Sequence, residues 1–396
     1  MSRIVFPFTP NWSSQLQATY SFKTTIFTSR NGHEQRRALR VSPRRTLEFD
    51  ILLAGDDARR WNRLMMTAQA GPFIMPDYTR QIEGRSVASD QFEIAGEPPA
   101  WVLPDTEILL DESVFTTVRS ADTGAIYFPA QDRLFTRLYP ALTGTLDAEL
   151  SIPAATSAVR SGRISFEMDP CSDRWITPPA ATSFLGVYEV FAPRVQWSGG
   201  VPISHKWEIE WLDYGRGRRK GITPIDFPTT TRTLNMVGAQ PVLDLFYRAK
   251  GRRAAFWLPS GEDDYRLVNP VVSANAASLT VVGTNCRPAS AMSLLMDDGR
   301  RVNTLIRSIT PGSSTTTFTL SGLLPAGGRV VQASAMDLVR FASDDLTVVY
   351  LTNRVSTVRA SFVTVPDEPG GDAIRMTTIG DTRQTVDGSD RAVIYI

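Results

Sequence analysis

RTLEFDILLAGDDARRWNRLMMTAQAGPFIMPDYT, residues 45–79, alternates before it winds. Leu47, Phe49 and Ile51 interleave with Thr46, Glu48 and Asp50, which puts one apolar face on a strand of period two. Asp56 and Asp57 follow Gly55 and suit a helix start, where carboxylates accept free N–H groups and complement the helix dipole. Trp61, Leu64, Met65 and Ala68 then fall at i, i+3, i+4 and i+7, a single stripe. Gly71 and Pro72 end the helix, and Phe73-Ile74-Met75 continues as a buried strand up to Pro76.

The pattern recurs at 232–265. Leu234 and Met236 alternate, Pro241 sits where a first helical turn tolerates it, and Val242, Leu245, Phe246 and Ala249 repeat the stripe. Gly251 closes that helix, and Phe256-Trp257-Leu258 runs to Pro259. Upstream, Trp12 matches Trp197, Phe22 matches Trp207 and Ile26 matches Trp211 at one constant offset, each set followed by a basic stretch. Downstream, Ser165-Phe166 matches Ser361-Phe362. Such self-similarity is the mark of a repeat.

Between these matched parts each half carries a second β-rich stretch, 93–130 and 285–322. Both hold an apolar strand, an acidic turn (Asp111-Glu112, Asp297-Asp298) and a Val/Ile-Arg-Ser ending. Short strands punctuated by Gly, Pro and Asp mean a small barrel or sandwich. The expected fold is mainly β: a tandem duplication of a β-barrel or sandwich with one helix, each copy holding a nested small β-barrel. The first unit takes residues 1–178 with its insertion at about 93–140, and the second 179–366 with its insertion at about 283–337. The segment 173–184, with Pro178-Pro179, reads as the linker between them, and 367–396 as a C-terminal tail that pairs with a neighbouring strand.

A hydrophobic content of 42% against 21% charged residues belongs to a folded chain, and a net charge of +1 argues against a dedicated nucleic-acid binder. With four lysines among 42 basic residues, the basic side chains are almost all arginine; a GC-rich genome explains this simply, and a demand for bidentate ion pairs at interfaces is the sharper reading. No stretch is apolar enough for a membrane span, and no signal peptide is visible. Cys171 and Cys286 read as free thiols of a chain made in the cytosol.

Chemistry is hard to place. His33 and His205 stand in no metal spacing, and two cysteines cannot build a zinc site, so no cofactor is expected. Asp56-Asp57, Asp263-Asp264 and Asp344-Asp345 are acid/base candidates, yet adjacency does not set carboxylates across a cleft; no enzymatic role is expected. The basic stretches, through Arg36, Arg37, Arg44, Arg45, Arg216, Arg218 and Arg219, are either solvated or contacts to an acidic neighbouring subunit. An Arg cluster turned toward passing DNA would grip it. Trp207, Ile209 and Trp211 share one strand face; a sugar-stacking platform is one reading and core packing the preferred one.

The outer unit resembles the tube-type domain of phage tail proteins, found in tube, distal tail and hub subunits. The runs DESVFTTVRSADTGAIYFPA and DDGRRVNTLIRSITPGSSTTTFTLSG look like the small β insertion of minor and distal tail proteins. Nearly all of residues 1–366 is covered, twice over, where a typical distal tail subunit carries the unit once. The resemblance implies a non-enzymatic virion protein at the tail tip, made in the host cytoplasm. It implies tube, hub, fibre or baseplate subunits as partners, with DNA only as cargo in the lumen. Some tail-tip relatives bind an iron–sulfur cluster through clustered cysteines, which this chain lacks. Three copies of a two-unit chain can close a pseudo-sixfold ring, with a hexamer as the alternative. The competing expectations are a glycan-binding module and a surface polysaccharide hydrolase.

Overall fold

The structure is a computed structural model that describes residues 4–29, 34–68, 71–147, 151–156, 159–169, 178, 180, 183–184, 188–198, 200–207, 209–213, 215, 217, 219–222, 228–284, 286–287 and 289–365. The fold is mainly β, with two α-helices among these residues. No helix among them is long and apolar enough to cross a membrane. The linker 173–184 and the tail 367–396 lie largely or wholly outside the described residues.

The first half begins with β1 (Ile4–Val5), β2 (Leu16–Ser21) and the hairpin β3–β4 (Thr24–Thr28, Glu34–Ala38). Then come β5 (Arg44–Ala54), α1 (Asp56–Ala68) and β6 (Phe73–Pro76), the strand–helix–strand unit expected at 45–79. Six short strands follow: β7 (Ile82–Ala88), β8 (Gln91–Ile94), β9 (Glu107–Leu110), β10 (Val114–Thr117), β11 (Ser120–Asp122) and β12 (Ala125–Tyr127). They enclose a small core of their own around Phe92, Trp101, Ile126, Phe128 and Phe135. Long strands β13 (Arg137–Leu146) and β14 (Val159–Met168) return to the main sheet.

After a two-stranded pair, β15 (Ser183–Phe184) and β16 (Tyr188–Glu189), the second half runs through similar elements. These are β17 (Ile203–Lys206), the hairpin β18–β19 (Glu210–Asp213, Arg219–Ile222), β20 (Thr229–Val237), α2 (Gln240–Ala249) and β21 (Phe256–Pro259). Next come β22 (Val271–Val272), β23 (Ser278–Val282), β24 (Ala291–Met296), β25 (Arg301–Pro311) and β26 (Thr315–Leu320). They cover a second small core around Tyr265, Met292, Leu294 and Phe318. The chain then returns on β27 (Gly328–Phe341), β28 (Asp345–Tyr350) and β29 (Ser356–Thr364).

Hydrogen bonding orders the main sheet as β1-β6-β13-β14-β5-β2 in the first half. In the second half it runs β21-β27-β29-β20-β17. β28 pairs with β29 on one side and with β2 on the other, so one sheet passes from half to half. The large hydrophobic core is likewise shared, from Phe6 and Trp61 to Phe341 and Phe362. The apolar alternation of β5 faces this core: Leu47, Phe49, Ile51 and Leu53 are all buried. Burial of a side chain of this size stabilises by about 1.5–3 kcal/mol, which makes the alternating face the main determinant of strand placement.

α2 ends on a left-handed residue, Lys250, followed by Gly251 at φ +68°, whose N–H donates to the Phe246 carbonyl. This satisfies the open carbonyls of the last turn. A Cβ on Gly251 would stand 2.6 Å from an Asp344 carboxylate oxygen and 2.9 Å from the Phe22 Cβ, so the helix end is fitted against both halves.

Candidate assembly interface

The contact between the halves combines strand pairing, aromatic packing and charged hydrogen bonds. β2 and β28 pair antiparallel over six residue pairs, from Leu16–Tyr350 to Ser21–Asp345. Thr19 and Thr347 share a hydroxyl hydrogen bond of 3.0 Å across that seam. At the end of β2 the chain turns Phe22 onto α2, where its ring meets Phe246 at 5.3 Å and Tyr247 at 5.9 Å. Tyr20 packs on Tyr247 from the same face.

Asp344 is the polar centre of this seam. Its carboxylate accepts from the Thr24 N–H at 2.7 Å, the Thr24 hydroxyl at 2.9 Å and the Arg252 N–H at 3.0 Å, with the Arg252 guanidinium at 3.4 Å. One carboxylate thus ties the first-half hairpin to the end of α2. Arg340 on β27 reaches Glu34 on β4 with two hydrogen bonds, 2.8 and 2.6 Å, in a largely buried pair. At the opposite end, Arg354 pairs with Glu83 and Asn353 with Gln81, lining a groove of about 300 Å³ beside Ile94.

The arginines expected at subunit contacts divide into inner and outer groups. Arg45 is not in a loop: it is the second residue of β5, buried at 1% exposure, and its guanidinium meets the Asp77 carboxylate at 2.8 and 2.9 Å. The Tyr20 ring lies 5.4 Å below it. Burial alone would push the Asp77 carboxyl up, but the Arg45 charge and hydrogen bonds, with Arg80 and Thr79, hold it down at about 2. Arg36 also turns inward, its side chain 6% exposed beside Glu34. Each guanidinium is turned to a carboxylate of its own chain, Asp77 for Arg45 and Glu34 for Arg36. Arg37 and Arg44 are exposed on β4 and β5, and Arg44 lies 3.7 Å from Glu167. Arg219 opens β19, while Arg216 and Arg218 lie outside the described residues.

The preference for core packing of the second-half tryptophans is overturned. Trp197, Trp207 and Trp211 are 48, 52 and 62% exposed. Trp207 and Ile209 lie between β17 and β18, with Trp211 on β18, and these side chains stay largely exposed, whereas α2 covers Phe22 in the first half.

The carboxylate pairs sit at these places in the fold. Asp56 and Asp57 open α1, Asp263 and Asp264 accept backbone N–H groups of Ala333 and Ala335, and Asp344 holds the seam. His205 is exposed and lies 3.0 Å from the Thr230 hydroxyl; His33 lies outside the described residues. Cys286 is a free thiol, and Cys171 lies outside the described residues. Among the described residues no group of three or more His, Cys, Asp or Glu could hold a metal ion.

Asp344 and Arg340 were the site residues the sequence concealed. The only signal for Asp344 was its place in an acidic pair, which also suits a turn. No family model matches this sequence, and no curated protein matches it either.

Proposed function

We propose that the chain is a structural, non-enzymatic subunit of a phage tail tip. In this reading two tube-like units per chain, each with a nested small β-domain, form a ring around the DNA channel. Three copies would supply six units and join the tail tube to hub, fibre or other baseplate proteins, with DNA only passing through.

The observation that carries the reading is the agreement of hydrogen-bond register with the sequence matches. Pro76 over Pro259 places Phe73 over Phe256, whose partners on β13 and β27 are Gly144 and Val339. Those strands in turn pair Leu146 with Phe166 and Phe341 with Phe362. Phe166 and Phe362 lead to Leu47 and Arg232, and these to Ala18 and Ile203. Four residues on from each, Phe22 stands over Trp207, as the sequence offset has it. Registers that carry one local match through five strands onto two others support duplication of a whole unit. The seam of β2 on β28 further supports units that join side by side, as a ring needs.

Native mass spectrometry of the purified chain, with a cryo-EM map of the particle that incorporates it, tests this. Three chains around a central channel is the expected result. A stable monomer, or six chains per ring, would remove the trimer.

The exposed Trp207 and Trp211 favour one second reading, a glycan-binding module that stacks sugars on these rings. A glycan array with no binding would set it aside.

A further inference from the structure

We propose that β17 and Trp207 of one copy dock on α1 and on the 151–154 edge of a second copy, repeating between chains the contact that β2 and Phe22 make with α2 and β28 inside the chain. The inference rests on the two-unit reading above.

Each side of the internal seam has a counterpart that stands uncovered. β2 is paired on both edges, by β5 and β28, whereas β17 pairs only with β20 among the described residues. Phe22 is 4% exposed and its counterpart Trp207 is 52% exposed, with Ile203 exposed on the same face. On the receiving side, the helical stripes set Met65 over Phe246 and Met66 over Tyr247. Tyr247 is half-buried against Phe22, whereas its counterpart Met66 is 88% exposed on α1; Met65 is half-buried against the main core. β28 flanks β29; the matching flank of β14 carries residues 151–154, with Ala154 bridged to Arg160 and exposed.

The occupant is therefore a second copy of this chain: the donor surface lies on the second half and the acceptor surface on the first. Because they lie on different halves, each copy can give the contact on one side and receive it on the other. They pass the contact head to tail and close a ring when the rotation allows. The Arg340–Glu34 pair of the internal seam is not repeated, because registers put Arg219 where Glu34 stands and Thr145 where Arg340 stands. The contact between chains thus depends on strand pairing and on burial of a large indole, and salt should weaken it little.

Trp207→Glu and Met66→Glu test the two sides, with Leu134→Glu, at a site 66% exposed on the small β-domain, as control. Each interface variant is expected to shift native mass spectra from trimer to monomer while keeping the wild-type circular dichroism; the control stays trimeric. In a chain with Cys171→Ser and Cys286→Ser, the pair Trp207→Cys and Met66→Cys should form disulfide-linked dimers and trimers on oxidation. Assembly unchanged in both glutamate variants, with no cross-link, overturns this interface and leaves the ring standing. A wild-type chain that stays monomeric at every concentration overturns both.

Discussion

The ring of Phe22 meets that of Phe246 edge to face at 5.3 Å, and this contact locks the first strand pair of the chain onto the second helix. Phe22 is separated from Phe246 by most of the first half and the opening third of the second, so the sequence offers no local reason for the pairing. Truncation by Phe22→Ala opens a cavity at the seam and is expected to cost about 3–5 kcal/mol. Phe27→Ala, at an exposed position of the adjoining hairpin, should change stability by no more than about 0.5 kcal/mol. Urea denaturation of both variants decides the matter, and equal small effects would show that the seam does not hold the halves together.

Gly251 sets a second condition on the same seam. An alanine there needs φ +68°, and its methyl would enter the space of Asp344 and Phe22. Both backbone strain and contact oppose the change, so Gly251→Ala is expected to destabilise by more than about 1 kcal/mol. Gly96→Ala, also at positive φ but with open space around its Cβ, should cost less. A thermal melt that ranks the two in the opposite order would refute the close-fit account.

Much of this architecture was legible because periodicity records which face is apolar. β5, both helices, β6 and β21 fall where alternation and the i, i+3, i+4 stripe put them. What periodicity does not record is what covers a face. Trp207 and Phe22 look alike in sequence, yet one is 52% exposed and the other lies under α2, because the edge of β2 meets the second half while β17 pairs only with β20 among the described residues. Arg45 and Arg36 failed as surface residues for a related reason. A run of arginines reads as solvated until the carboxylates opposite, Asp77 and Glu34, are brought near by folding.

Asp344 gathers several donors of the seam on one carboxylate. Its carboxylate accepts two backbone N–H groups and a hydroxyl, and Asp344→Ala leaves those donors buried without partners. Charged acceptors of this kind contribute about 1.5–3 kcal/mol each, so a loss of several kcal/mol is expected. Asp345→Ala, at the exposed neighbour, should be far milder. If Asp344→Ala folded with wild-type stability, the seam would not depend on this carboxylate.

The Arg45–Asp77 pair makes the acid limb of stability specific. The Asp77 carboxyl sits at about 2 in the folded chain against an ordinary 3.8, so the folded state binds its proton less readily than the unfolded one. Its contribution is complete above pH 4 and is lost as pH falls toward 2, amounting to about 2 kcal/mol. Asp77→Asn removes that titration and leaves Arg45 buried beside a neutral amide, at a cost of about 3–5 kcal/mol near neutral pH. Guanidinium denaturation at pH 6, 4 and 2 should therefore show the wild type losing its advantage over Asp77→Asn as acid is added. Parallel pH profiles would mean that Asp77 is not the group Arg45 holds ionised.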